Sequence, residues 1–211
     1  MDKLFQGVLR FQREDFSRHH ELFSRLGRRQ QPHTLFVGCS DSRVVPTLIT
    51  NTDPGELFLV RNVANIVPPW AESDQDASTA AAISYAVQVL AVGTIVVCGH
   101  SNCGGCAALH MTPAELEGLP AVSRWLQHSA EVPGRVARLS AEAGNSDAAD
   151  REWLTEQINV LVQMRHLLTY PFIAERVRAG TLSVQGWYYV IDSGEVLVYD
   201  DARGNFEKVK A

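Results

Sequence analysis

No stretch of this chain stays apolar for anything near the roughly 20 residues that cross a bilayer. Its longest apolar runs, such as Thr94–Cys98, stop far short of that. The opening residues, MDKLFQGVLRFQRED, lack the apolar core of a secretory signal. Positive charge is also scarce: 19 Lys and Arg face 24 Asp and Glu, a net charge of −5 with a pI near 5.8. That balance carries no electrostatic footprint for nucleic acid or an anionic membrane. The densest basic group, Arg25, Arg28 and Arg29, fits a solvated helix end. Four cysteines in a chain that reads as intracellular suggest thiolate chemistry or a metal rather than a disulfide framework. Repeats and low-complexity tracts are lacking as well. The expectation is a cytoplasmic protein that binds neither membrane nor nucleic acid, whose cysteines serve thiolate or metal chemistry.

What the chain does have is enough apolar residue, 45%, for one sizeable core. A single domain over 1–211 is expected, with about 1–27 as an N-terminal helical arm. In that arm Leu4, Phe5, Val8, Leu9, Phe16, Leu22 and Phe23 recur at helical spacing and stop near Gly27. Thr34–Cys39, Leu57–Arg61 and Thr94–Gly99 read as short buried strands, and Ala77–Ala91 as a crossover helix between the last two. Such alternation predicts an α/β fold with a mostly parallel central sheet and flanking helices. From Thr112 to Ala179 the pattern is helical almost throughout. Thr112 and Glu115 offer a capping box, Pro120 a first-turn position and Gly180 a stop, with a loop at Gly144–Asp147. Leu182–Ile191 and Val196–Tyr199, joined through Asp192-Ser193-Gly194, predict a C-terminal hairpin.

The reactive residues fall at the ends of these elements. Residues 98–106 read CGHSNCGGC, three thiols and an imidazole in nine residues. Cys39 closes the first strand, His100 closes the third, and Cys103 opens the next helix. In an open α/β sheet the carboxyl ends of parallel strands are where ligands bind, so Cys39, His100 and Cys103 converge if the two strands are neighbours. Two thiolates and an imidazole suit Zn²⁺, and three protein ligands leave the open fourth position of a catalytic site. Water bound there reaches a pKa of about 7. Asp41 lies two residues beyond Cys39, able to orient that water or to bind the zinc itself and close the site. Arg43 is placed to hold Asp41 ionised through a bidentate pair.

Other readings of the same residues stand beside this one. Cys103-Gly-Gly-Cys106 also fits a thiol-redox pair, and all four cysteines a closed structural site. Cys98 and Cys106 read as packing residues, since buried Cys behaves as a small hydrophobe. An Asp-x-Arg is often only a surface ion pair. His19, His20, His33, His110, His128 and His166 have no comparable company and are expected to be solvated or satisfied locally.

Taken together, CSDSR at Cys39–Arg43 and GHSNCGG at Gly99–Gly105 resemble the β-class carbonic anhydrases, as do PGELFLVRNVANIVPP (Pro54–Pro69) and ISYAV (Ile83–Val87). The resemblance runs from about Phe11 to the terminal hairpin and is similar to bacterial members that accompany cyanate breakdown. It implies zinc on Cys39, His100 and Cys103, with Asp41 and Arg43 as the catalytic dyad and Asp41 as fourth ligand in any closed state. It further implies that zinc-bound hydroxide attacks CO₂ to give bicarbonate and a proton. Gln30 matches a substrate-binding glutamine, and Gly104 borders the pocket. Phe58, Val63 and Tyr85 match an apolar CO₂ wall completed across a dimer interface. The partners implied are CO₂/bicarbonate and further copies of the chain, a homodimer assembling into tetramers or octamers. Relatives of this fold that hydrolyse CS₂ or COS form the nearest alternative.

Departures from the family pattern also inform. Ser84 replaces a frequent Glu, and Val89 stands where plant members carry a relay histidine. Arg61 and Tyr189 match two members of a bicarbonate-sensing Trp–Arg–Tyr trio, but Phe36 replaces the Trp. Phenylalanine has no N–H donor, so an ungated site is expected.

Overall fold

The apolar run TLFVGC becomes β1 (Thr34–Cys39), buried at every position. The computed structural model describes residues 2–144 and 147–209. It sets β1 between two parallel neighbours, β2 (Leu57–Asn62) and β3 (Thr94–His100). Then β4 (Ser183–Tyr189) joins β3 in parallel, while β5 (Val196–Asp200) and β6 (Asn205–Lys208) add antiparallel strands. The order is β2-β1-β3-β4-β5-β6, a six-stranded, mostly parallel sheet. The terminal hairpin is therefore a three-strand meander. Gly194, with φ of +74°, supplies the left-handed turn residue before β5.

The helical arm runs as α1 (Lys3–Arg10), a π turn over Phe11–Asp15, and α2 (Phe16–Leu26). Asp2 caps α1 by accepting from the Leu4 amide. Phe16 stacks on Phe23, and Phe11 meets both edge-on, on the arm itself. No residue of α1 or α2 is buried.

Between β1 and β2 sits α3 (Pro46–Thr50), and α4 (Ala77–Ser84), continued by a π turn over Tyr85–Val89, crosses from β2 to β3. The short α5 (Gly104–Ala107) follows β3 directly, then α6 (Pro120–Leu126), α7 (Val132–Ala143), α8 (Ala148–Leu167) and α9 (Pro171–Arg178) precede β4. The expected capping box forms, with the Thr112 amide on Glu115 Oε2 at 2.7 Å and the Glu115 amide on Thr112 Oγ1 at 3.4 Å. Yet only turns follow it, over residues 113–118. Pro120 disfavours helical geometry at the preceding residue, and Leu119 sits at φ −129°, ψ 55°. The helix starts afresh at Pro120 instead. The expected loop at Gly144–Asp147 lies partly outside the described residues, at Asn145 and Ser146.

One face of the sheet carries the main core: Leu35, Val37, Ile95 and Val97 pack with Ile83, Val87, Leu167, Tyr170 and Ile173. Alternate residues Phe36, Val96 and Cys98 form a smaller cluster with Trp187 and Tyr189 on the other. Among the described residues, no helix is long and apolar enough to cross a membrane.

Candidate metal centre

Strand order makes the site. Because β1 and β3 pair directly in parallel, their last residues, Cys39 and His100, emerge side by side at one sheet edge. Cys103 joins them at the start of α5, and one ligand atom from each lies within 4.8 Å of the others. The two sulfurs are 3.9 Å apart. A tetrahedral Zn²⁺ with Zn–S bonds of about 2.3 Å holds its sulfurs roughly 3.8 Å from each other.

The histidine fits the same role. His100 is fully buried, and its Nδ1 lies 3.0 Å from the Ser101 carbonyl, to which it donates. That bond fixes the tautomer and leaves the Nε2 lone pair free. Nε2 has no hydrogen-bond partner although it is buried. Both thiols are held protonated when no cation is near. Cys39 is pushed up to about 12 by its bond with Cys103 and by burial. Cys103 rises to about 12 through its bond with Cys106 and burial. An orphaned nitrogen facing two such sulfurs is a donor set that a soft divalent cation satisfies.

Asp41 stands at the edge of this cluster, its Oδ2 3.9 Å from His100 Nε2. Arg43 holds it from two directions: Nε and the backbone amide donate to Oδ1, each at 2.9 Å, and Nη2 to Oδ2 at 2.7 Å. The guanidinium keeps the Asp41 carboxyl well below the usual carboxylate range. Arg43 is itself anchored, its Nη2 donating to the Asn102 carbonyl at 3.0 Å. Arg61 fixes the strand below, donating to the carbonyls of Cys39 and Asp41 at 3.0 and 2.7 Å.

Glycine admits the helix to the site at one position and not at its neighbour. A Cβ on Gly105 would fall 2.8 Å from Val63 Cγ1 and 2.9 Å from Ala64 Cβ, so only glycine lets α5 sit against that turn. A Cβ on Gly104 would meet nothing within 4 Å. Close approach is thus the role of Gly105 alone; Gly104 faces open space.

The remaining expected pocket residues divide into two places. Val63 follows β2 at the metal end, beside Gly105. Phe58 pairs with Leu35, whereas Asn62 pairs with Cys39. Four residues at about 3.3 Å each put Phe58 roughly 13 Å from the metal end of the sheet. Tyr85 lies on Phe58, with ring centroids 6.0 Å apart. Gln30 and Tyr85 line one cavity of about 670 Å³ with Leu26 and Val89. Within one chain, Gln30, Phe58 and Tyr85 therefore gather away from Cys39, His100 and Cys103.

Cys98 and Cys106 are buried and outside the three-ligand group, as packing residues should be. Four of the other histidines are satisfied locally: His33 by Thr34, His110 by Thr155, His128 by Glu72, and His166 by the Val67 carbonyl. Phe36 is fully buried and meets Trp187 edge-on.

A row of polar residues on α8 escaped the sequence reading. Glu156, Asn159, Gln163 and His166 recur at helical spacing on one face and are all buried. Asn159 Nδ2 donates to the Ala64 carbonyl, Gln163 Oε1 accepts from the Val67 amide, and His166 Nδ1 donates to the Val67 carbonyl. These bonds hold the turn containing Ala64 and Asn65 at φ of +59° and +47°. Glu156 accepts from the Cys103 amide at 2.7 Å and from the Tyr188 hydroxyl at 2.5 Å. Burial pushes its carboxyl up to about 7. The available signal was the spacing E-x-x-N-x-x-x-Q-x-x-H among buried apolar positions.

Comparison with known proteins now has a site to rest on. A family model described as carbonic anhydrase matches residues 34–196. A carbonic anhydrase of Pseudomonas aeruginosa is 43% identical over 206 residues, covering 98% of this chain and 90% of its own. One from Helicobacter pylori is 37% identical over 208 residues, covering 98% and 93%. Among solved structures, the β-carbonic anhydrase CcaA superposes with a TM-score of 0.93 at 37% identity, covering 99% of this chain and 92% of that one. One of the tetrameric β-carbonic anhydrases of Sordaria macrospora superposes with a TM-score of 0.76 at 31% identity, over 93% and 97%. The sheet with a Cys–His–Cys cluster at its carboxyl edge marks an α/β metalloenzyme of the carbonic anhydrase type. The chain belongs to the carbonic anhydrase family, in its β class.

Proposed function

We propose that this chain is a zinc-dependent enzyme for the reversible hydration of CO₂ to bicarbonate and a proton. The observation that carries the reading is the Asp41–Arg43 pair, set with Asp41 Oδ2 3.9 Å from His100 Nε2 beside a cluster that, among the described residues, has three ligand atoms. A structural zinc site has no use for a fixed carboxylate beside an open position.

Cys39, His100 and Cys103 would hold the ion. Bound Zn²⁺ supplies Lewis acidity and makes hydroxide available from water at neutral pH. Asp41 stays ionised and acceptor-only, so it takes a hydrogen bond from the nucleophile and turns a lone pair toward carbon. Arg43 spends its donors on Asp41 and the Asn102 carbonyl, which keeps the carboxylate from swinging onto the metal. Val63 and the open space over Gly104 offer CO₂ a small apolar approach. The proton leaves to buffer.

Completion of the pocket calls for a second copy. Phe58 lies too far along β2 to reach its own Cys39, and Tyr85 and Gln30 gather at the same end, so in this reading all three line the neighbour's pocket. Exposed apolar residues support that contact. In the arm, Leu4 is 76% and Phe5 65% exposed. We take the functional unit to be a homodimer, with tetramers or octamers built from it. The whole of 1–211 then acts as one domain, its arm over about 1–27 clasping the partner, in the cytoplasm.

Stopped-flow CO₂ hydration on protein of measured zinc content tests the reading, with COS and CS₂ hydrolysis assayed in parallel. Hydration proportional to zinc is expected. A zinc-loaded protein that turns over only COS or CS₂ would move the assignment to the sulfur substrates, and one that turns over none would leave a structural metal.

A further inference from the structure

Three ligands define the metal cluster, and two of them, His100 and Cys103, are joined by only Ser101 and Asn102. That connection turns through Asn102 at φ of +56°, a left-handed conformation that asparagine adopts more readily than most L-residues. It is held from two sides. Ser101 is secured to the end of β4, its amide donating to the Tyr189 carbonyl at 3.0 Å and its Oγ accepting from the Ile191 amide at 2.9 Å. The Asn102–Cys103 peptide is secured from the other side by one side chain. Glu156 Oε1 accepts from the Cys103 amide at 2.7 Å, and that amide shares its peptide unit with the Asn102 carbonyl.

We propose that Glu156 is a positioning residue of the metal centre, setting the Cys103 sulfur and the Arg43 anchor through the backbone of residues 102–103. The inference rests on the zinc reading above.

Its chemistry is unusual enough to require a reason. A carboxyl only 2% exposed sits in a helix whose buried positions include the apolar Ile158, Val160 and Val162. Burying such a group is expensive unless every lone pair is used. Here the second oxygen is used: Tyr188 donates to Oε2, and Trp153 packs edge-on against the Tyr188 ring at 4.7 Å. Tyr188 is fully buried on β4, next to Gly99 in the sheet register. A Cβ on Gly99 would fall 2.7 Å from Val160 Cγ2, so the glycine lets α8 lie directly against β3 and brings Glu156 within reach of the loop. The same loop carries the Asn102 carbonyl that anchors Arg43. One carboxyl thus steadies a metal ligand and, one residue away, the group that aims Asp41.

Partners behind a ligand are commonly worth 10- to 100-fold in metal affinity. The test is chelator competition for Zn²⁺ on full-length protein, with the absorption spectrum of the Co²⁺-loaded form and thermal unfolding of each variant. Glu156→Ala should bind zinc about 10- to 100-fold more weakly and shift the cobalt ligand-field bands. Glu156→Gln keeps an oxygen for the Cys103 amide and should retain affinity within a few-fold, with the wild-type spectrum. Tyr188→Phe frees Oε2 only and should give a smaller shift of the same kind, which serves if Glu156→Ala fails to fold. Folded Glu156→Ala with wild-type affinity and bands would overturn the inference. So would a Glu156→Gln loss as large as that of Glu156→Ala, or an unchanged Tyr188→Phe spectrum. Wild-type protein that takes up no metal would overturn the zinc reading itself, and this inference with it.

Discussion

Arg43 meets Asp41 side-on, two guanidinium nitrogens against two carboxylate oxygens at 2.9 and 2.7 Å, with the Arg43 backbone amide added on Oδ1. Three donors on one carboxylate leave it a single orientation, with Oδ2 toward the His100 ring. The fork geometry matters more than the charge. Arg43→Lys retains the charge but offers a point donor, so CO₂ hydration should fall on the order of 10²-fold, the effect of a small misplacement of a reacting group. Zinc content should stay at the wild-type value. Stopped-flow rates normalised to bound zinc check this, and an unimpaired Lys variant would show that orientation is not what Arg43 provides.

Cys103 and Cys106 are neighbours in the sequence and in space, yet only Cys103 lies in the ligand group. Cys103→Ser should abolish tight zinc binding. Cys106→Ser should keep one zinc per chain and near-normal hydration, with some loss of thermal stability from placing a hydroxyl in a buried apolar cluster. Metal analysis after dialysis separates the two, and zinc lost from Cys106→Ser would reassign the ligands.

Adjacent glycines give a stability contrast. Gly105→Ala forces a methyl against Val63 and Ala64, including the Ala64 backbone nitrogen at 3.0 Å. Overpacking of this kind costs about 1–3 kcal/mol. Gly104→Ala meets no neighbour and should unfold at the wild-type denaturant midpoint or slightly above it. Equal midpoints for the two variants would contradict the packing of α5 on the turn after β2.

His166 contributes a pH dependence whose sign is fixed by burial. Burial, chiefly, lowers its pKa, with Arg165 adding to the effect; the Val67 carbonyl, Glu131 and Glu72 act against it. The unfolded chain then binds a proton that the folded chain refuses, so stability is lost as pH falls from about 6.5 through the lower folded value. Glu156, raised to about 7 by burial, works in the opposite direction on the acid side. The difference between wild type and His166→Gln removes that background. Wild type should lose stability relative to the variant on acidification from about pH 8 to pH 5, and parallel curves would contradict the assignment.

How much of this was readable beforehand follows from what each residue does. The strands, their parallel pairing and the convergence of Cys39, His100 and Cys103 follow from hydrophobic runs and from motifs placed at strand ends, which are local signals. The dyad was readable for the same reason, since Asp41 and Arg43 lie two residues apart. Glu156 was not. In a charged, amphipathic helix a glutamate reads as solvent-facing, and only the packing of α8 over Gly99 brings it to Cys103. The turns after Thr112 were misread because a sound capping signal sits too close to Pro120. The separation of Phe58 from Cys39 is a matter of register, which motif matching does not report.

The most direct test of the account is CO₂ hydration by Asp41→Asn beside wild type, each normalised to bound zinc, at pH 7 and near 8.5. The asparagine can be held in place, but its amide donates as well as accepts and no longer enforces one orientation of the nucleophile. The account predicts wild-type activity at both pH values, full zinc in the variant, and loss of most of its activity. A folded, zinc-loaded Asp41→Asn protein that hydrates CO₂ at nearly the wild-type rate would contradict it.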